Sequence, residues 1–313
     1  MQAPRVHFSG SLPVVSPLAD KPAVHYDSGL KMSTPSAPPS TPPLIAFDHV
    51  TIVRNTRAAL DDVSLEIGVG EHVAIIGPNG SGKSTLIKTI TRELYPSVHT
   101  GGAIRRDGSA LPDRPNGRVR LLGRERWNVL ELRAQLGIVS NDLMATCTRE
   151  LTGRDVVISG FFSSIGLWPN HHVTDAMRAK ADEILGRLHV PHLADRFVTE
   201  MSSGEARRML IGRALVHDPR TLLLDEPTNS LDLQAQQELR DLYRQLAQAG
   251  TGILLVTHHL PDIIPEIDRV ILIKDGRIFR DGAKDAVLTA ALLGELFGLP
   301  VDLARRDGYY NIW

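Results

Sequence analysis

Gly77-Pro78-Asn79-Gly80-Ser81-Gly82-Lys83-Ser84 has the residue types and spacing to hold a chain of phosphates. It is a full match to the phosphate-loop pattern. Glycines let backbone N–H groups curl around phosphate oxygens, and the N-terminus of a following helix adds partial positive charge. Lys83 can reach β- and γ-phosphates, and the Ser84 hydroxyl can bind Mg²⁺. A second group, Leu222-Leu223-Leu224-Asp225-Glu226, supplies the complement. In phosphate-loop enzymes an acid ending a buried apolar strand holds Mg²⁺, a role that fits Asp225. Glu226 follows directly and can orient or deprotonate the attacking water. The chemistry these residues point to is nucleoside triphosphate binding and Mg²⁺-dependent hydrolysis.

The elements around them can be read from periodicity. Val73–Ile76 is a short apolar strand, and a helix is expected from Lys83 to about Glu93. Upstream, Ala46–Val53 and Val63–Ile67 read as strands flanking a turn region, Arg54–Asp62. Residues 101–126 carry seven arginines against three acids and read as a solvated antiparallel subsheet. No aromatics interleave with these arginines, which argues against nucleic-acid contact. Leu136–Ser140 is another short strand. Over Thr174–Val190 the residues Met177, Ala181, Ile184 and Leu188 share one helical face. Val156–Pro169 is unusually apolar and aromatic, a pattern that serves core packing or a docking surface. Thr221–Asp225 and Gly252–Thr257 are strands, and Gln234–Gln248 is a helix with a stripe of Leu239, Leu242, Tyr243 and Leu246. Val270–Lys274 and Arg277–Phe279 form a hairpin about Asp275-Gly276. Ala283–Phe297 is expected to be helical, and Arg305–Trp313 reads as a polar, aromatic tail. Strands alternating with helices imply a three-layer α/β core.

Composition narrows the class. The chain has 313 residues, 42% hydrophobic and 23% charged, ordinary for a globular protein. A formal charge of −1 gives no bulk field toward DNA or acidic membrane. The one cysteine, Cys147, excludes an internal disulfide and fits a reducing compartment. No apolar run of about 18 residues exists to span a membrane, and no continuous apolar segment marks a secretory signal. Ser33–Pro43 has five prolines and no charge, so residues 1–43 read as a disordered leader. His171-His172 has no acid or cysteine at metal spacing and reads as a polar turn.

With further motifs the chain resembles the ABC ATPase family. These are Gly77–Thr85, Met201-Ser202-Ser203-Gly204-Glu205, Asp225-Glu226-Pro227-Thr228, Ser230-Leu231-Asp232 and Thr257-His258, in that order. The resemblance covers about residues 44–298, with 299–313 as a C-terminal tail. It implies a RecA-like core with an antiparallel β subdomain and an inserted helical subdomain at about 142–200. It also implies roles. Lys83 and the loop amides hold phosphates, Ser84 and Asp225 serve Mg²⁺, and Thr85 caps the α-phosphate. Glu226 is the general base, and His258 contacts the γ-phosphate. Ser202, Ser203 and Gly204 close over the ATP of a second subunit, with Asp232 aligning that interface. One phosphate loop and one signature per chain then imply a dimer with two ATP molecules at its interface.

Three positions depart from the family pattern. The signature reads MSSGE, with Ser203 where glycine is usual. Asn141 stands where a glutamine senses Mg²⁺ and couples to a membrane partner. Arg54 stands where an aromatic side chain stacks on adenine, although a guanidinium plane can also stack on a base. Asn141 and the segment Val156–Trp168 are similar to the soluble, ModF-type subgroup. The tail Leu296–Tyr310 looks like ATPase subunits of siderophore- and cobalamin-type importers. Two readings follow. One is an importer ATPase, peripheral at the cytoplasmic membrane face, with Asp142–Trp168 meeting a membrane subunit. The other is a soluble ATPase acting on a protein or nucleic-acid target.

Overall fold

The computed structural model describes residues 42–96, 103–112, 117–140 and 151–313. The leader up to residue 41, Asn141 and Cys147 lie outside these residues.

The chain first forms an antiparallel hairpin, β1 (Ile45–Arg54) and β2 (Arg57–Ile67), and β4 (Arg118–Leu121) pairs with the other edge of β1. Only Asn55 and Thr56 turn between β1 and β2, so the longer turn expected at Arg54–Asp62 is corrected. Ala58 and Leu60 are buried on β2, and after a one-residue irregularity at Asp61–Asp62 (Asp62 φ 58°) the alternation resumes at Val63, Leu65 and Ile67. Charged residues at Arg57, Asp61 and Asp62 mask that alternation in the sequence. Asp61 is itself buried, and its Oδ2 accepts from Arg105 Nε at 2.9 Å and from Arg277 Nε and Nη2 at 2.8 and 2.6 Å.

The second sheet is built from β3 (Val73–Ile76), β5 (Leu136–Val139), β6 (Thr221–Asp225), β7 (Gly252–Thr257), β8 (Arg269–Lys274) and β9 (Arg277–Ala283). Their order is β5-β6-β7-β3-β8-β9. All neighbours are parallel except β8 and β9, an antiparallel pair turning at Asp275 (φ 51°) and Gly276 (φ 79°). The five parallel strands are near-continuous apolar runs because both faces are covered, whereas the edge strand β9 is polar and largely exposed. Val73 and Ile75 pack with β1, β2, β4 and helix α1 (Lys83–Ile90). Ala74 and Ile76 face the opposite core, shared with α3 (Gly153–Ser159), α4 (Asp175–Arg187), α5 (Ser203–Leu215) and α6 (Leu233–Gln248). A short helix, α2 (Val129–Gln135), leads into β5.

Helix α1 stops at Ile90, three residues before the expected end, because Thr91 caps it and Arg92 takes a left-handed φ of 63°. On α4 the residues Ala181, Ile184 and Leu188 are buried and Met177 packs against the same core. Val156, Val157 and Ile158 are fully buried, which makes the start of the apolar run Val156–Pro169 core, whereas Trp168 at its end is 44% exposed. His171 accepts from Trp168 N at 3.2 Å and stacks on Phe162.

The region 283–297 is two helices rather than one. α7 (Lys284–Val287) ends before Thr289, whose hydroxyl accepts from Leu292 N and starts α8 (Ala290–Phe297). The tail is a hairpin, β10 (Leu303–Arg306) and β11 (Tyr309–Ile312), turning at Asp307-Gly308. Tyr310 is buried and donates to Asp285 Oδ1 at 2.5 Å, which ties the hairpin to α7. Among the described residues no helix is long and apolar enough to cross a membrane.

Asp61 joins β2, β9 and the segment carrying Arg105. Asp61→Asn is expected to destabilise the protein by about 2 kcal/mol, less than a wholly buried pair because Arg277 is half exposed. Urea unfolding measures this, and amide exchange across residues 103–112 should speed up with it.

Candidate active site

The loop between β3 and α1 is shaped by what surrounds it. A Cβ on Gly77 would lie 2.3 Å from the Ile273 carbonyl oxygen and 2.5 Å from Ser81 Oγ. Gly82 has φ 117°, and a Cβ there would lie 2.8 Å from the Ala59 carbonyl oxygen. Both positions require glycine. Gly80 (φ 80°) instead turns toward open space, where the nearest atom to its missing Cβ is Arg106 Nη1 at 3.9 Å. Ser81 N donates to Pro78 O at 3.1 Å, and Gly276 N donates to Ser81 O at 2.8 Å, so the β8–β9 turn braces the loop. Gly82 has no side chain to cap α1, which leaves the helix's first N–H groups available to an anion.

Lys83 is only 7% exposed, and its Nζ donates to Gly77 O at 2.6 Å and Pro78 O at 3.3 Å. Burial holds its ammonium below the usual lysine range, partly offset by Glu226 and Asp225. Glu226 Oε1 is 3.7 Å away. A desolvated cation curled onto its own loop is suited to exchange carbonyl partners for phosphate oxygens, which are stronger acceptors.

Glu226 follows β6 directly, in a left-handed conformation (φ 46°), with its N–H donating to Val256 O at 2.8 Å. Such a φ is uncommon outside glycine and costs on the order of 1–3 kcal/mol. It turns the chain sharply after the strand. Glu226 Oε2 lies 2.8 Å from His258 Nδ1, an ion-pair distance, and 3.4 Å from His258 N.

These groups share one open cavity of about 630 Å³. Arg54, Asn79, Gly80, Gly82, Lys83, Ser84, Thr85, Asp225, Glu226 and His258 all line it. Gly77, Pro78 and Ser81 form the loop behind that wall. Ser84 is exposed and Asp225 half-buried, an oxygen-donor pair suited to a hard divalent cation. Arg54 sits exposed at the end of β1. Among the described residues no group of three His, Cys, Asp or Glu could form a protein-only metal site.

The cavity does not include Ser202, Ser203, Gly204 or Asp232. Ser202 caps α5 in a reciprocal arrangement, accepting from Glu205 N at 3.2 Å while its own N–H donates to Glu205 Oε2 at 2.7 Å. A Cβ on Gly204 would approach Ala235 Cβ to 2.9 Å, so that glycine lets α5 and α6 pack closely. Asp232 caps α6 by accepting from Ala235 N at 2.8 Å. Ser202, Ser203 and Asp232 are nonetheless exposed.

Sequence reasoning missed three lining residues, Ala59, Arg106 and Asn229, and a buried acid outside the lining, Asp262. Arg106 was one of seven arginines with nothing to single it out. Its placement comes from Ile104, whose N–H donates to Thr56 O and whose carbonyl accepts from Ala58 N, both at 2.9 Å. Asn229 could have been found from its position three residues after Glu226.

A phosphate loop emerging from a central parallel strand, with an acid pair ending a nearby strand, defines a phosphate-loop NTPase. The model of the ABC transporter family matches residues 60–229, and the chain belongs to that family. It is 30% identical over 297 residues to the hemin import ATP-binding protein HmuV of Rhodococcus jostii, covering 94% of each chain. Among solved structures it is similar to cbiO1 from Clostridium perfringens, part of the ABC transporter complex cbiONQ. The TM-score is 0.64 at 26% identity, covering 81% of this chain and 94% of that one. It is also similar to a dimeric post-hydrolysis state of the ATP-binding cassette MJ0796 bound to ADP and Pi. There the TM-score is 0.59 at 25% identity, covering 76% and 98%. The protein is an ATP hydrolase of the ABC transporter family.

Lys83→Ala is expected to weaken ATP binding about 10- to 100-fold, the loss of one or more charge-assisted hydrogen bonds. Isothermal titration calorimetry reads it directly. Unchanged affinity would mean the loop does not hold the nucleotide.

Proposed function

We propose that this chain binds and hydrolyses ATP with Mg²⁺ as one half of a dimer, and that the dimer powers an importer. The carrying observation is the division of the motifs. The phosphate-side, metal-side and water-side groups meet in one cavity, whereas Ser202, Ser203, Gly204 and Asp232 lie outside it and are held by helix caps and close packing. A second subunit would bring its own Ser202–Gly204 over this ATP. A homodimer satisfies the geometry with one kind of chain.

Within one cavity the roles follow from chemistry. Lys83, Thr85 and the loop amides bind phosphates, and Arg106 and Arg54 border the rest of the nucleotide. Ser84 and Asp225 would hold Mg²⁺, which neutralises phosphate charge when bound. Asn141 lies beyond the described residues and would add an amide oxygen. Glu226 accepts the proton of the attacking water, and His258 steadies Glu226 from 2.8 Å. ATP at the interface closes the dimer, and its hydrolysis removes that contact.

The importer reading is supported by the relative's name and the tail's likeness to importer subunits, and a hemin-like metal chelate is the cargo class we favour. The membrane subunit would dock at the cytoplasmic face on Asp142–Trp168. In the described part of that segment, Phe161, Phe162 and Ile165 are half-buried and Trp168 is exposed. A net charge of −1 speaks against nucleic acid as the partner.

Glu226→Gln should retain ATP, lower turnover by about 10²- to 10⁴-fold and accumulate as a dimer. Size-exclusion chromatography with ATP tests this, and a monomer under those conditions would refute the dimer. The same variant, purified from cells with ATP and mild detergent, should bring down a polytopic membrane protein. Recovery of soluble partners alone would instead favour an ATPase that works away from the membrane.

A further inference from the structure

The cavity of the phosphate loop has a side that the reaction above does not use. Lys83, Ser84 and Thr85 line it at the start of α1, and Asp225, Glu226 and His258 line it at the ends of β6 and β7. What remains besides the loop itself and Asn229 is Arg54 and Ala59, on the β1–β2 hairpin, and Arg106. Arg106 Nη1 is 3.9 Å from where a Cβ on Gly80 would stand, which puts it over the loop and so over the phosphates. Arg54 is then the side chain left for the base.

That side of the cavity offers hydrogen-bond donors. A guanidinium has five N–H donors and no acceptor. Among the described residues no acid pairs with Arg54, and Arg57, which faces it across the hairpin, is a second guanidinium. Carbonyls close by are committed elsewhere. Thr56 O accepts from Ile104 N, and Ile104 O accepts from Ala58 N, both at 2.9 Å. Ala59 O lies 2.8 Å from the place of a Cβ on Gly82 and on Gly276, turned into a gap too narrow for a ligand. The cavity's two carboxylates, Asp225 and Glu226, belong to the metal and water side. Its one aromatic ring is the imidazole of His258, 2.8 Å from Glu226.

Bases differ in what they present to such a wall. Guanine offers two adjacent acceptors, N7 and O6, which a guanidinium can take together. Adenine pairs its acceptor N7 with a donor, the N6 amino group, and cytosine offers the donor N4. A donor-only wall leaves those amino groups without a partner. We propose that Arg54 is a specificity-determining residue that pairs with N7 and O6 of a guanine base, so that GTP is a substrate of this enzyme and a better one than ATP. This rests on the reading of the cavity as the nucleotide site. Arg54 is exposed, so water competes for its donors and the preference is modest.

The test is steady-state hydrolysis of GTP, ATP and CTP by the full chain. The expected kcat/KM for GTP is about three- to tenfold above that for ATP, with CTP lowest. Arg54→Gln supplies both a donor and an acceptor, the match for N6 and N7 of adenine. It should bring the GTP-to-ATP ratio below one, with the change in KM rather than kcat. Arg106→Gln should raise KM for both purines alike, since phosphates are common to them. A wild-type preference for ATP would overturn the proposal. So would a ratio that Arg54→Gln leaves where it was, the result expected of a guanidinium stacked flat on either purine. Should thermal melting show that Arg54→Gln does not fold, Arg54→Lys decides. A single ammonium cannot take N7 and O6 as a fork, so the ratio should fall close to one, and an unchanged ratio would overturn the proposal. Lys83→Ala guards the premise. If it spares both nucleotides, the cavity is not their site. If it weakens both while ATP remains the better substrate of the wild type, only the role of Arg54 fails.

Discussion

Space around the loop Gly77–Gly82 is the constraint on which the rest of the structure turns. Its backbone runs so close to the Ile273 carbonyl on one side and the Ala59 carbonyl on the other that side chains are excluded at Gly77 and Gly82. That closeness is what aims N–H groups inward, and it makes three distant stretches depend on one another. β2 supplies Ala59, β8 supplies Ile273, and the β8–β9 turn supplies Gly276, which bonds to Ser81. The small β sheet is therefore more than a cover for the core. Through the Asp61 pairs with Arg105 and Arg277 it is tied to β9 and to the segment that carries Arg106.

Charge organisation follows from the same burial. Lys83 is desolvated yet occupied, by two carbonyls and a carboxylate at 3.7 Å. Glu226 is in turn shared among Lys83, His258 and Thr257. Each group is held by partners that a phosphate or a water can replace. The site is thus preorganised without being locked, the condition for electrostatic stabilisation of charge that develops only during reaction.

Much of this was legible in the sequence, and the reasons differ by region. The parallel strands were readable because burial on both faces leaves little but Val, Ile, Leu and Ala in them. Phosphate loop and acid pair were readable because their chemistry fixes both residue type and spacing. The length of β2 was not, since its charged residues are satisfied by partners far along the chain, such as Arg277. The terminal hairpin was missed although Asp307-Gly308 is a strong turn signal, because its flanking residues are too polar to alternate visibly. Arg106 and Asp262 were invisible for a related reason. Each takes its place from tertiary neighbours, and neither belongs to a local pattern.

Strand order carries a consequence for how the protein is made. β3 lies between β7 and β8, and neither is near it in the chain. The hydrogen bond from Ile253 to His72, at the foot of β3, spans 181 residues. At roughly 5–20 residues per second, a ribosome takes about 10–40 s to deliver that partner. The β1–β2 hairpin can pair at once, but Val73–Ile76 must wait as an apolar segment with both edges open. During translation the glycine-rich loop is therefore among the first parts of the folded region to emerge and among the last to acquire its shape. The nascent chain is most vulnerable to misassociation in the interval between the two.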